Sequence, residues 1–174
     1  MARLRKFVSY RNLERPYTRV SKFREKAFIK ITPQVKIVRF DMGNSTRNFD
    51  YCIQLISKDA LQIRDNAIES ARQTSNRLLE KAIGQANYRL RIKIYPFHVL
   101  RENPLAAGAG ADRFSTGMQK AFGKPVGQAA QVKKGQVLFE VYVDKPNIEI
   151  AREALRRAKT KIPCSTTLLV NKLK

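Results

Sequence analysis

Apolar residues enter this chain in blocks of distinct period, and the blocks predict its elements. Val35, Ile37, Val38 and Phe40 form one strand candidate, and Tyr51, Ile53 and Leu55 alternate in a second, with turn formers from Asp41 to Asn48 between them. From Lys58 to Ile83 the spacing is helical: Leu61, Ile68, Ala71, Leu78, Ala82 and Ile83 can share a face, and Gly84 is placed to end the helix. Between Tyr88 and Ile94, Leu90, Ile92 and Ile94 alternate with Arg89, Arg91 and Lys93, so one face meets a core and the other is a cationic row. Val137, Phe139, Val141 and Val143 alternate in the same way, and the preceding Val132 to Gln136 has the composition of a hairpin turn. Asn147 can cap a helix from Ile148 to Lys159 whose buried stripe is Ile148, Ala151, Ala154, Leu155 and Ala158; Pro163 ends that region, and a last strand follows from Thr166 to Val170. Helix and strand alternate without a regular βαβ crossover. The pattern therefore predicts an α+β fold, a two-layer α/β sandwich with two main helices on one face of a mixed or antiparallel sheet, and a single domain over residues 1–174.

Two stretches lack such a period. Residues 1–33 read as a basic arm: nine Lys or Arg lie within residues 1–26, interleaved with Phe7, Tyr10, Tyr17 and Phe23, and Pro16 interrupts any helix. Aromatic rings among cations suit docking on phosphates and sugars, and the arm is expected to contribute little to the core. Residues 101–136 hold six of the eight glycines, six Lys or Arg and two acids. A long segment without apolar period inside a compact domain is usually a binding loop, and residues 101–127 are expected to form one, with Arg101 and Arg113 as exposed positions bracketing it.

The charge balance names the kind of partner. Thirty-five Lys plus Arg against fourteen Asp plus Glu give a formal charge of +21. Spread along the chain, that excess fits a nucleic acid that envelops the protein better than a membrane surface or an acidic protein. With 43% apolar residues the chain still has a core to bury, so it is not a disordered polycation. The phosphate-facing residues expected are Arg3, Arg5, Lys6, Arg11, Arg15, Arg19, Lys22 and Arg24 in the arm, the row Arg89, Arg91 and Lys93, and Lys120, Lys124, Lys133 and Lys134 around the glycine-rich segment.

Chemistry is poorly represented. Between Gly117 and Gly123 lie five residues where a phosphate-cradling loop has four, and Pro125 follows Lys124 where a magnesium-holding hydroxyl would stand. Gly108-Ala109-Gly110 lacks the third glycine of a dinucleotide turn. His98 is the only histidine and sits in an apolar run, Asp112 and Glu102 read as turn or arginine partners, and Glu149 and Glu153 pair along their helix with Arg152, Arg156 and Arg157. Cys52 and Cys164, 112 residues apart, read as two reduced thiols packed in a core or on a strand, not as a disulfide scaffold or zinc site. No enzyme activity, cofactor, metal, membrane span or homo-oligomer is expected, and the chain reads as intracellular and soluble.

In their order and spacing, several segments resemble a known family. They are Pro96-Phe97-His98-Val99-Leu100-Arg101, Ala109-Gly110-Ala111-Asp112-Arg113, Thr116-Gly117-Met118, Ala121-Phe122-Gly123-Lys124-Pro125, Gly135-Gln136-Val137-Leu138-Phe139-Glu140, Ala151-Arg152-Glu153-Ala154-Leu155 and Lys161-Ile162-Pro163. Over nearly its whole length the chain is similar to the large-subunit ribosomal proteins called L-ten-e in archaea and eukaryotes, homologous to bacterial L-sixteen. Its end at Lys174 resembles the archaeal branch. The resemblance implies an α/β-hammerhead fold embedded in large-subunit rRNA between the central protuberance and the peptidyl-transferase centre. It implies no catalysis, with 5S rRNA, neighbouring ribosomal proteins and tRNA acceptor ends as further partners. The loop residues it places toward tRNA are Arg101, Asn103, Gly108, Gly110, Asp112 and Arg113. Pro104-Leu105 departs from the family's Lys-Met and removes one cation from the loop. A free-standing basic RNA chaperone and an RNA-modification factor are the alternatives.

Overall fold

The computed structural model describes residues 5–103 and 123–173. Among these residues eight strands form two antiparallel sheets. In the larger sheet the order is β1 (Asp41–Gly43), β4 (Arg89–Ile92), β7 (Val137–Val143), β2 (Tyr51–Ser57) and β8 (Thr166–Lys172). In the smaller it is β3 (Leu61–Arg64), β6 (Lys124–Val132) and β5 (His98–Glu102). Helices α1 (Asp65–Ile83) and α2 (Ile148–Lys159) pack on each other; α2 covers β2 and β7, and α1 lies against β3 and β6. This is the α+β architecture that the apolar pattern predicts.

One apolar cluster joins the layers. Ile53, Leu55, Leu90, Phe139 and Val141 project from the larger sheet, Ile63, Ala130 and Val132 from the smaller, and Ile68, Leu79, Ala151, Ala154, Leu155 and Ala158 from the helices. The three alanines of α2 are fully buried, which lets that helix approach β2 and α1 closely. Its bounds match those read from the pattern, although Asn147 makes no side-chain cap bond among the described residues. Cys52 on β2 and Cys164 before β8 are both buried free thiols, and burial pushes Cys52 up to about 11.

Several features differ from the expectation. The helix predicted from Lys58 begins at Asp65, because Leu61–Arg64 pairs with β6. Leu61 and Ile63 face the core while the intervening Gln62, also buried, reaches the arm. The strand predicted over Val35 to Phe40 is an extended segment outside the sheets. Its amides find carboxylates on α1 instead of a neighbouring strand: Lys36 donates to Asp65 at 3.3 Å and Val38 to Glu69 at 3.2 Å. The stretch read as a turn after it contains β1. Finally, the segment read as loop to Gln136 contains β6, whose Pro125 and Gly127 hide it from a periodicity search. Pro125 lies beyond the residues of β6 that pair with β3, at a register shift opposite Arg101, where a missing N–H disrupts least.

The Lys133–Gln136 turn closes as expected, with the Gln136 amide donating to the Lys133 carbonyl at 3.2 Å, yet it is not a hairpin. Its flanking strands belong to different sheets. Ser57 at the end of β2 pins it from both sides, since the Gly135 amide donates to the Ser57 carbonyl at 2.8 Å and the Ser57 amide to the Gln136 carbonyl at 3.0 Å. The turn therefore passes the chain from one sheet to the other.

Gly43 and Gly135 both have positive φ, +87° and +80°. A Cβ at Gly135 would meet nothing within 4 Å, whereas one at Gly43 would stand 2.2 Å from the Tyr88 carbonyl oxygen, which also accepts the Asn44 amide. Gly135→Ala should cost about 1–2 kcal/mol from backbone strain alone. Gly43→Ala should cost clearly more, because the clash is with backbone that cannot rotate away. Urea denaturation of both variants decides it; equal losses would mean that the β1–β4 edge yields to the methyl group.

Candidate nucleic-acid interface

The smaller sheet holds the arm by its backbone. Gln62 donates to the carbonyls of Tyr10 (3.2 Å) and Asn12 (2.6 Å), and its own amide donates to the Arg11 carbonyl at 3.0 Å. Gln131 donates to Glu14 at 2.7 Å and Gln128 to Pro33 at 2.8 Å. From β5, the Arg101 guanidinium donates to the carbonyls of Tyr17 and Phe28. Tyr10 anchors the start of the arm: its ring is buried against Leu100 and Ala129, and its hydroxyl donates to Glu102 at 3.2 Å. Arg5 forms an ion pair with the same carboxylate at 2.5 Å, and Arg64 lies 5.1 Å above the Tyr10 ring while donating to the Arg5 carbonyl at 2.8 Å. The expectation that the arm contributes little to the core is corrected here.

Because the sheet grips carbonyls, the arm's charged side chains remain outside. Lys6, Arg11, Arg15, Arg19, Lys22 and Arg24 are all exposed, and none has an ion pair among the described residues. The Arg11 guanidinium lies 5.8 Å from the centre of the Phe7 ring and that of Arg19 5.9 Å from Phe28, contacts that hold the cations without neutralising them.

The β4 row is different. Arg89 grips Asp41 with bonds of 3.0 and 2.5 Å, Arg91 approaches the same carboxylate at 3.7 Å, and Lys93 lies 3.6 Å from buried Glu140. The Arg89 bond, followed by the charges of Arg89 and Arg91, holds the Asp41 carboxyl below its ordinary value against the opposing effect of burial. Glu140 is also held by Gln54 at 3.0 Å and by Tyr142 at 2.9 Å, and burial together with that bond pushes the Tyr142 hydroxyl up to about 12. Much of the row's charge thus serves the sheet.

Lys124 is exposed at the start of β6, and Lys133 and Lys134 are exposed on the turn between the sheets. Arg3, Gly108, Gly110, Asp112, Arg113 and Lys120 lie outside the described residues. Asn103, just beyond β5, is half-buried. Arg101, expected as an exposed loop side chain, is only 9% exposed and faces the arm. His98 is buried beside it. Desolvation first, and the Arg101 charge second, lower its pKa from 6.5.

A further cationic surface carries no signal in the apolar pattern. Arg77 and Lys81 of α1 and Arg157 of α2 line a groove of about 810 Å³ between the helices. Arg157 shares Glu153 with Arg156 at 3.4 Å, the i,i+3 and i,i+4 pairing expected of α2. Arg77 and Lys81 lie one turn apart on α1, and only the packing of α2 brings Arg157 beside them.

A family model described as ribosomal protein L16p/L10e matches residues 14–169. The chain belongs to the ribosomal protein L16p/L10e family. Among its relatives, a large ribosomal subunit protein uL16 from Archaeoglobus fulgidus is 47% identical, over 94% of this chain and 90% of its own length. One from Staphylothermus marinus is 47% identical over 91% and 88%, and one from Thermofilum pendens 46% over 89% of each. The matched span takes in α1, α2 and residues 14–33 of the arm, so the bonds that hold Glu14, Tyr17, Phe28 and Pro33 lie within it, whereas those that hold residues 5–12 lie before it.

Arg101→Ala should destabilise the protein by about 1.5–3 kcal/mol, the usual worth of hydrogen bonds to a charged group, because two arm carbonyls lose their donor. Chemical denaturation measures it, and a loss below about 0.5 kcal/mol, the usual size for exposed positions, would return Arg101 to the solvent.

His98 gives a pH signature of its own, since it is the only histidine. Its folded pKa is depressed, so the unfolded chain takes up a proton more readily than the folded one. Its contribution to stability is complete above about pH 6.5 and declines as pH falls toward the folded value. Denaturation between pH 5 and 7.5 should show that decline in the wild type and a flat profile in His98→Gln. An imidazole titrating by NMR above 6.5 would refute the assignment.

Proposed function

We propose that the protein is a structural constituent of the large ribosomal subunit, bound to rRNA in the cytoplasm and without enzymatic activity of its own. Membership of the ribosomal protein L16p/L10e family supports subunit residence, and relatives over most of the chain carry the name large ribosomal subunit protein. The observation that carries RNA binding is the exposed set Lys6, Arg11, Arg15, Arg19, Lys22 and Arg24 on a backbone pinned to the smaller sheet. A polycation with a fixed path neutralises phosphates without the full entropic cost of ordering a free tail. Lys124, Lys133 and Lys134 extend that surface, and the groove of Arg77, Lys81 and Arg157 offers a second one on the helical layer. The compensated row Arg89, Arg91 and Lys93 contributes less.

The finer reading follows the family resemblance. The protein sits between the central protuberance and the peptidyl-transferase centre, with 5S rRNA and other ribosomal proteins nearby; the stretch from Arg101 to Arg113 serves tRNA acceptor ends and that from Gly117 to Gly127 serves rRNA. Arg101 serves that loop indirectly, by tying β5 at its root to the arm.

If roughly ten phosphates are neutralised, the slope of log affinity against log salt for large-subunit rRNA should lie at about −7 to −9. Replacing the six exposed arm cations with Gln should reduce its magnitude by about 4 to 5. Replacing Arg89, Arg91 and Lys93 should change it by less than about one unit in total. Sedimentation of cell lysate at moderate and high salt tests residence: the protein should remain with large subunits, and its release as a free protein at moderate salt would favour an RNA chaperone.

A further inference from the structure

Tyr95 and Phe97 stand out on a face that the phosphate-binding reading does not use. In the stretch joining β4 to β5, Ile94, Pro96 and His98 turn inward, while Tyr95 and Phe97 turn outward and are 42% and 76% exposed. They are organised with Phe40 as a run of three rings. Phe40 and Tyr95 stack with centroids 5.2 Å apart and an interplanar angle of 25°, and Tyr95 meets Phe97 at 4.6 Å and 49°. The Phe40 carbonyl accepts the Ile92 amide at 2.8 Å, so the first ring is tied to the edge of the larger sheet. Phe97 ends the run as its most exposed ring.

Beside it is a concavity of about 330 Å³, at the small end of ligand pockets, lined by Lys93, Tyr95, Phe97, Gln131 and Gln136 together with Pro16 and Thr18 of the arm. The Lys93 ammonium, 3.6 Å from Glu140, and the Gln131 and Gln136 amides, each with a bond inside the protein and further capacity to donate or accept, border an exposed aromatic face. Among the described residues the lining carries no carboxylate.

We propose that Phe97 and Tyr95 form a stacking platform for an unpaired nucleobase of the subunit's rRNA, with Lys93 on the adjoining phosphate and Gln131 and Gln136 against the base edge. The inference rests on the RNA-binding reading above and adds to it a site that acts through a base and not through charge alone. A base offers a flat π-face and a polar edge in one ligand, and its backbone supplies the anion that this +21 protein selects. An apolar protein side chain would use the aromatic face alone, whereas a net charge of +21 and a lining without carboxylates among the described residues suit a ligand that carries its own phosphate, which favours RNA over a protein occupant.

The test compares binding of the full-length wild type, Phe97→Ala, Phe97→Leu and Phe97→Trp to large-subunit rRNA transcribed in vitro, across a range of salt concentrations. Phe97→Ala should weaken binding roughly 5- to 100-fold with the salt slope unchanged, as expected for loss of one base–aromatic stack. Trp should restore the affinity and Leu should not. Thermal midpoints of all four should agree closely, because Phe97 packs little. Ultraviolet irradiation of the wild-type complex should leave a nucleotide remnant on the tryptic peptide spanning residues 94–101. Wild-type affinity in Phe97→Ala would overturn the platform, as would full rescue by Leu, which would indicate apolar contact alone. A loss seen only when other ribosomal proteins are present would assign the face to a protein partner and also overturn it. A shallow salt slope in the wild type itself would instead refute the underlying RNA reading.

Discussion

Fourteen carboxylates serve thirty-five cations in this chain, and their placement decides what each cation does. Asp41 holds Arg89 and Arg91 at the edge of the larger sheet, Glu140 lies inside that sheet beside Lys93, Glu69 binds Arg72 while accepting the Val38 amide, and Glu102 joins Arg5 to Tyr10. Each of these acids ties separate segments together. Cations near them belong to the fold, and those away from them are left for a partner. A chain with this much like charge folds by placing several of its few anions at junctions, and the remaining repulsion is met on binding RNA.

The arm follows from the same scarcity. With few acids to anchor it, the smaller sheet uses neutral amides and one buried arginine, all donating to carbonyls. Such bonds are indifferent to the side chains of the residues they hold, so Lys6, Arg11, Arg15 and Arg19 keep their charge and exposure. Arg101 is the costly member, a guanidinium removed from most solvent, and burial lowers its pKa although it remains charged. Its reward is position: on β5, it connects the arm to the root of the segment that begins beyond Asn103. Stability and the presentation of charge are thus linked through a few bonds between distant parts of the chain.

Several elements were legible in the sequence because their information is local. The bounds of α2, the end of α1 at Gly84 and the alternation of β2, β4 and β7 all follow from signals within single segments, as does the start of β8 at Thr166. The missed elements depend on remote contacts. β3 was absorbed into a helix since Leu61 and Ile68 also fit helical spacing, and β6 was hidden by Pro125, Gly127 and two alanines whose burial on both faces produces no alternation. Residues 35–40 resemble a strand but take their hydrogen bonds from Asp65 and Glu69 of α1, 29 and 31 residues away.

The same division applies to the candidate site. Composition alone determined that this is a basic protein with a core and an anionic partner, and the order of short motifs determined its family. Net charge survives any folding, and motif order is written along the chain. Which cations are compensated within the fold and which stay exposed was decided only by the tertiary structure. Arg101 and the arm carbonyls it holds are separated by more than seventy residues, Arg157 reaches the Arg77–Lys81 groove only because α2 packs on α1, and the rings of Phe40, Tyr95 and Phe97 meet across the sheet edge. Such contacts are set by packing between elements, and no period in the sequence encodes them.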